Sequence, residues 1–486
     1  MGLLQFDTTE ITGVASGTTS TVALAILALA FYLWTAKGSA MQHLPPAPKG
    51  YPFLGNLMDV VSAGGLLHLK MIAWAREHGE IIRVVLGPNT EYVINSDRAC
   101  AAIFQKNAAI SSERPAWLVG QKYITNYESM DLLDASNPRW KLQRKIALQN
   151  LTSVQRADAA TISGFYIADI FTALDYLPLA LKPWAKNGIK RHNSDVEFVQ
   201  NRMNYAKKLV NSGSAPDSFM TRVLTSSDKS GASETEAAYV ALKLIAAASD
   251  TSRVSTWVFL EQMMMNPRVQ LHARKLIDDA VGDRLPVWED IERIPYVRYL
   301  MKETWRMRPP VGNALAHRIT ADIAYEDYVI PAGSTVRPNI WAIGRDLKRH
   351  PDPDTFRPER WEGDKLSTQQ SANLPDATQR DHFAFGVGRR FCPGVQVAER
   401  SFAVAIMRTL WAFDIGVRPG TQMPLNPDDY MEKELPGVPG SRLPLSLKVR
   451  SERKSLIEEA WKKELAEWQV YGNMDLDPLE EVLRAQ

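Results

Sequence analysis

No charged residue occurs from position 11 to 36, and positions 22–34 are continuously apolar or aromatic. A bilayer core needs roughly 20 such residues, so this stretch, its Ser, Thr and Gly included, predicts one membrane-spanning helix. Asp7 and Glu10 precede it, Lys37 and Lys49 follow, and no basic segment opens the chain. That asymmetry predicts an uncleaved anchor with the N-terminus outside and everything after Lys37 in the cytosol. Residues 44–52, with prolines at 45, 46, 48 and 52, form a stiff spacer. The pattern then predicts an amphipathic helix over 66–78 and strands over 81–86 and 91–95, joined at Gly87-Pro88-Asn89. Helical periodicity dominates from Arg139 onward. The longest helix opens at a capping box, Ser233 with Glu236, and stops at Asn266-Pro267. At 1.5 Å per residue it is roughly 50 Å long, enough to cross a domain. Its centre, Ala246-Ala247-Ala248-Ser249-Asp250-Thr251, is small and then abruptly polar. Further helices are expected from Pro267 to near Gly282 and over 296–307. Beyond Pro309 the pattern turns to strands, with strand, Pro-Ala-Gly turn and strand over 328–336, and 350–381 is polar and irregular.

These elements make a mainly α protein with small β-sheets, divided as an anchor (1–36), a Pro-rich hinge (37–52), a body (53–450) and a charged helical tail (451–486). Composition narrows the function. A hydrophobic fraction of 45% and a charged fraction of 23% describe a globular chain, not a disordered one. A net charge of +2, with no basic run interleaved with aromatics, gives nucleic acid no footprint. The two cysteines, Cys100 and Cys392, exclude a disulfide-stapled fold and any multi-cysteine zinc or iron–sulfur site. Cys100 lies in an apolar-faced helical pattern over 97–104 and reads as a small core residue.

Cys392 differs. It closes Phe385-Gly386-Val387-Gly388-Arg389-Arg390-Phe391-Cys392-Pro393-Gly394, whose three glycines allow backbone N–H groups to converge on an anion. The natural anion is the thiolate, which on iron donates electron density that favours O–O cleavage. This decapeptide resembles the haem-binding signature of the cytochrome P450 family, matched at Phe385, Gly388, Arg390, Cys392 and Gly394. Other segments resemble the family in order and spacing. Glu303 and Arg306 stand as its Glu-x-x-Arg, and Arg360 supplies the third member of a buried structural cluster that holds the cysteine loop. Ala247-Ala248-Ser249-Asp250-Thr251 is similar to its oxygen-activating motif, with Ala248 where the family most often has Gly. Asp250 would relay protons and the Thr251 hydroxyl would orient water. Trp140 and Arg144 match its Trp-x-x-x-Arg, and Arg318, with His317 as a weaker candidate, occupies the place of another propionate-binding residue. Arg144, Arg318 and Arg390 would then pair the buried propionates.

The resemblance implies a haem-thiolate monooxygenase, its iron held by Cys392, acting at the endoplasmic reticulum membrane on a fairly apolar small molecule. Electrons would come from NADPH through a flavoprotein reductase, with Lys141 and Lys145 near the docking surface. The chain's style is most similar to fungal members of secondary metabolism. Two alternatives stay open: a haem-thiolate isomerase or dehydratase, and an inactive haem-binding remnant. The remnant arises because the interval from Trp140 to Asp250 is too short for the family's helices. Two core helices are expected to be absent, with the junction near 158–164, most simply through loss of an exon. Substrate choice falls to loops around 111–130, 168–210, 240–251, 309–316 and 433–440, and the sequon at Asn150 stays cytosolic.

Overall fold

Two short apolar runs start the body, and both of their faces are buried. The strands β1 (Ile81–Leu86) and β2 (Asn89–Ile94) pair antiparallel, Ile81 opposite Ile94 and Leu86 opposite Asn89. Ile81, Tyr92 and Ile94 join one core, while Ile82, Val84 and Val93 join another on the opposite face. A sheet covered on both sides reads as continuous apolar sequence. The turn is tighter than the sequence suggests, because Gly87 takes φ +61 and lets β2 begin at Asn89. In this computed structural model residues 43–63, 66–150, 166–216, 218–230, 234–422 and 443–469 are described. The predicted membrane span, Ser233 of the capping box, Thr152 of the sequon, the 158–164 junction and the 433–440 loop lie outside them.

The remaining strands are short. β3 (His317–Arg318) and β6 (Thr335–Pro338) complete a four-stranded sheet in the order β1-β2-β6-β3, with β6 parallel to β2 and antiparallel to β3. β4 (Ile323–Tyr325) and β5 (Tyr328–Ile330) pair only with each other. The strand-turn-strand read at 328–336 is present, but its strands enter different sheets: past Gly333, at φ +82, the chain leaves β5 for β6. β7 (Phe413–Val417) and β8 (Leu445–Val449) form a third, two-stranded sheet.

Helices supply the bulk. In order they are α1 (Leu67–His78), α2 (Pro138–Asn150), α3 (Pro183–Asn211), α4 (Phe219–Ser230), α5 (Glu234–Met265), α6 (Pro267–Val281), α7 (Pro295–Met307), α8 (Val395–Ala412) and α9 (Lys454–Gln469). Four of them open on proline, whose missing N–H costs nothing in the first turn. The largest core lies where α5, α6, α7 and α8 meet, around Phe259, Ile277, Leu300, Ile406 and Trp411. Leu456 and Ile457 of α9 pack against it. α5 is 32 residues long and buried toward both ends, but Ala247, Ser252 and Arg253 at its centre are exposed. Its mid-helix Asp250 is paired, lying 3.4 Å from the Arg253 guanidinium. Cys100 is fully buried, in a helix that runs on as a π-turn through Ala101–Lys106. Among the described residues no helix is long and apolar enough to cross a membrane.

Candidate active site: the Cys392 loop and its surroundings

The loop before α8 is held by its own backbone. Cys392 N–H donates to the Phe385 carbonyl at 3.0 Å, and Phe391 N–H to Gly388 at 3.1 Å. Gly388 takes φ +70, and a Cβ there would lie 2.1 Å from the Phe104 carbonyl oxygen, so only glycine fits. The thiol of Cys392 lies next to Gly394, the residue that caps α8, and that helix start is a favourable place for negative charge. Burial pushes the thiol pKa up, and the Gly394 N–H and the Arg144 guanidinium only partly offset it. An iron ion at sulfur would hold Cys392 as the thiolate.

Cations gather beside it. Arg144 of α2 donates to the Phe391 carbonyl at 2.8 Å. The Trp140 ring carries the Arg390 guanidinium at 4.8 Å and that of Arg144 at 5.6 Å. Arg390 donates to the Ser112 carbonyl at 2.9 Å and also to that of Leu133. Arg318 donates to the Arg114 carbonyl at 3.1 Å and lies 3.3 Å from Asp134. Arg114, which the sequence reading missed, is buried and donates to the carbonyls of Asp131 and Ala316 at 2.7 and 2.6 Å. Its partners are distant along the chain, so no local spacing signals it. Burial and then the charge of Arg114 lower Arg390 to about 9, and burial, with the charge of Arg337 adding to it, lowers Arg114 to about 10. Among the described residues Arg114, Arg144 and Arg390 form no side-chain ion pair with a carboxylate. A desolvated group of guanidiniums held by carbonyls alone fits a ligand that brings its own buried carboxylates, as haem does with two propionates. His317 Nδ1 donates to the Ser111 carbonyl at 2.8 Å, and His317 is lowered to about 3 by burial and then by Arg114, so it stays neutral.

Behind the loop, Glu303 and Arg306 of α7 form a bidentate pair at 2.8 Å. Arg360 reaches Glu303 at 3.3 Å, Trp361 Nε1 donates to it at 3.0 Å, and Glu303 and Arg306 are almost fully buried. The three residues read as one cluster from the sequence are thus brought together. On α5, the Thr251 hydroxyl donates to the Ala247 carbonyl at 2.7 Å. Among the described residues no hydrogen bond joins Asp250 or Thr251 directly to the Cys392 loop. The connection runs instead through Ser255, whose hydroxyl accepts from Trp305 Nε1 at 3.0 Å, and the Trp305 ring meets Phe385 edge-on at 5.0 Å. Neither Ser255 nor Trp305 was singled out in the sequence, although Trp305 lies inside Glu-x-x-Arg.

A half-buried thiol at a helix start, a glycine loop and guanidiniums without carboxylate partners among the described residues fit a haem-thiolate site. The family model "Cytochrome P450" matches residues 45–163 and 159–437, and the chain belongs to that family. A cytochrome P450 monooxygenase from Gibberella fujikuroi is 41% identical over 90% of this chain and 95% of its own length. Cytochrome P450 monooxygenase virE from Hypocrea virens is 28% identical over 80% of this chain and 82% of its own, and yanC from Aspergillus niger is 28% identical over 80% and 85%. The protein is an oxidoreductase of this monooxygenase family, with a haem-thiolate centre. The alignment with the Gibberella protein extends over 522 positions, more than the 486 residues present here, so that relative carries sequence this chain lacks. The family match comes in two parts that overlap at 159–163, between Trp140 and Asp250.

Proposed function

We propose that this chain inserts one oxygen atom from O2 into a fairly apolar small molecule in fungal secondary metabolism, anchored at the endoplasmic reticulum and supplied with electrons from NADPH by a flavoprotein reductase. The observation that carries the haem-thiolate chemistry is the Cys392 loop set against guanidiniums without carboxylate partners. When bound, haem would supply dioxygen chemistry at an iron to which a thiolate lends electron density. Cys392 would give that sulfur, and Arg114, Arg144, Arg318 and Arg390 would hold the carboxylates. Thr251 keeps its proton at Oγ1, directed at the Ala247 carbonyl, and leaves its lone pairs free to accept from water. Asp250, with one oxygen toward the exposed Arg253, offers a carboxylate next to Thr251 in the chain.

The membrane reading is supported by exposed apolar side chains near the predicted anchor: Tyr51 at 59%, Met58 at 50% and Val61 at 59%. Tyr176 at 93% and Leu181 at 62% extend the apolar surface. The two segments are tied together, because Gly87 N–H donates to Leu54 at 3.1 Å and Asn89 to Ile170 at 3.1 Å. Lys141 and Lys145 are exposed on α2, the helix whose Arg144 reaches the cysteine loop, which supports docking of an acidic reductase there. The fungal sources of the relatives named above support the setting. We further place the loss of two core helices at the divided match near 159–163.

The test is the absorption spectrum of the reduced, carbon-monoxide-bound chain expressed in membranes. The red-shifted thiolate band is expected, and Cys392→Ala should lose it while Cys100→Ala keeps it. A wild-type chain without that band would refute the proposal for this polypeptide.

A further inference from the structure

Three residues of α5 one turn apart, Ala247, Thr251 and Ser255, are coupled through hydroxyls. Thr251 Oγ1 donates to the Ala247 carbonyl at 2.7 Å, and Ser255 Oγ donates to the Thr251 carbonyl at 2.8 Å. Bonds of this kind share the i−4 carbonyl with the main-chain N–H, giving it a second donor, and set the local bend of the helix. A serine hydroxyl carries one proton, so its direction is fixed only if another group occupies the acceptor side of its oxygen. Trp305 does so: its Nε1–H donates to Ser255 Oγ at 3.0 Å, with both side chains buried.

The same indole is fixed on its other sides. It meets Phe385 of the Cys392 loop edge-on at 5.0 Å, Phe402 of α8 at 5.2 Å and His382 at 5.5 Å. It is borne on α7 between Glu303 and Arg306, whose bidentate pair holds that turn. An indole has only two rotatable side-chain bonds, and rings on three sides leave it one orientation.

We propose that Trp305 is a positioning residue that sets the Asp250–Thr251 turn of α5 relative to the Cys392 loop, by committing the Ser255 proton to the Thr251 carbonyl. The proposal rests on the monooxygenase reading, in which the placement of Thr251 relative to the thiolate matters. Without the indole N–H, the Ser255 oxygen loses its donor in a buried site, and the hold of its hydroxyl on the Thr251 carbonyl loosens.

The experiment is amide hydrogen exchange on the full chain, with peptides covering 247–259 and the β1–β2 hairpin as internal reference. Trp305→Phe keeps a ring against Phe385 and removes the donor; Ser255→Ala removes the hydroxyl without opening a large cavity; Ser255→Thr restores it. The first two should speed exchange in 247–259 by about five- to tenfold and leave the hairpin unchanged, while Ser255→Thr stays near wild type. In the haem-loaded chain the C–O stretching band of the carbon-monoxide complex should broaden or split in the first two variants and not in Ser255→Thr. Unchanged exchange in Trp305→Phe, or equal acceleration in the hairpin, overturns the proposal. If the wild-type chain lacks the thiolate band, the monooxygenase reading falls by itself, and the exchange comparison still decides the Trp305–Ser255 coupling.

Discussion

Gly388 shows how one residue decides whether the thiol loop can form. Its left-handed φ costs any other residue roughly 1–2 kcal/mol, and a methyl group would overlap the Phe104 carbonyl, adding roughly 1–3 kcal/mol. Gly388→Ala is therefore expected to lower the denaturation midpoint and the haem content together; an unchanged midpoint would show that Phe104 yields at no cost. Glu303 acts through charge. Glu303→Gln keeps the shape but leaves Arg306 and Arg360 buried without their carboxylate, a loss of about 3–5 kcal/mol. A urea midpoint within error of wild type would show that the carbonyls of Gly344 and Pro353, each 2.8 Å from Arg306 Nη1, suffice. The motif residues were legible because a loop and a helix turn keep them close in sequence. Arg114 was not, since burial and the Ala316 carbonyl, supplied from 202 positions away, give it its character.

At the scale of elements, α3 approaches the segment Val119–Ile124 through Gly188, where a Cβ would lie 2.6 Å from Tyr123 Cβ. In an exposed helix Gly→Ala gains up to about 1 kcal/mol. Here the methyl group meets the base of a buried side chain, so Gly188→Ala should instead destabilise by roughly 1–2 kcal/mol. Urea denaturation decides the sign, and a raised midpoint would mean that α3 can slide. Helix limits such as those of α6 and α7 were readable from proline at the start and the apolar period. Strand partners were not: β5 and β6 are close in sequence, yet one pairs back to β4 while the other enters between β2 and β3. Pairing is settled by distant chain, here β2, which lies more than 200 positions earlier.

Across the whole molecule, burial sets how the fold responds to acid. Burial, then the charges of Arg306 and Arg349, lowers His350 to about 2, and burial, then Arg114, lowers His317 to about 3. Both are neutral in the folded chain and protonate near pH 6.5 once unfolded. Between about pH 6.5 and 3 the unfolded chain thus binds more protons, and stability falls as pH falls. Each histidine contributes about 1.4 kcal/mol per pH unit well below 6.5, so the pair should cost about 2.5 kcal/mol between pH 7 and 5.5. Burial raises Asp169 and Glu399, so the folded chain takes up these protons first; they oppose the trend as pH falls through their raised folded values, and the opposition stops growing where the unfolded carboxylates protonate too. The dependence could not be read from the sequence, where His317 stands beside a candidate propionate residue and His350 opens an irregular stretch. His350→Phe keeps an aromatic edge toward Trp361, now 5.7 Å away, and His317→Asn keeps a donor toward Ser111. Urea midpoints at pH 7 and 5.5 for the double variant should differ far less than in wild type. An equally steep fall would assign the acid loss to groups other than these two.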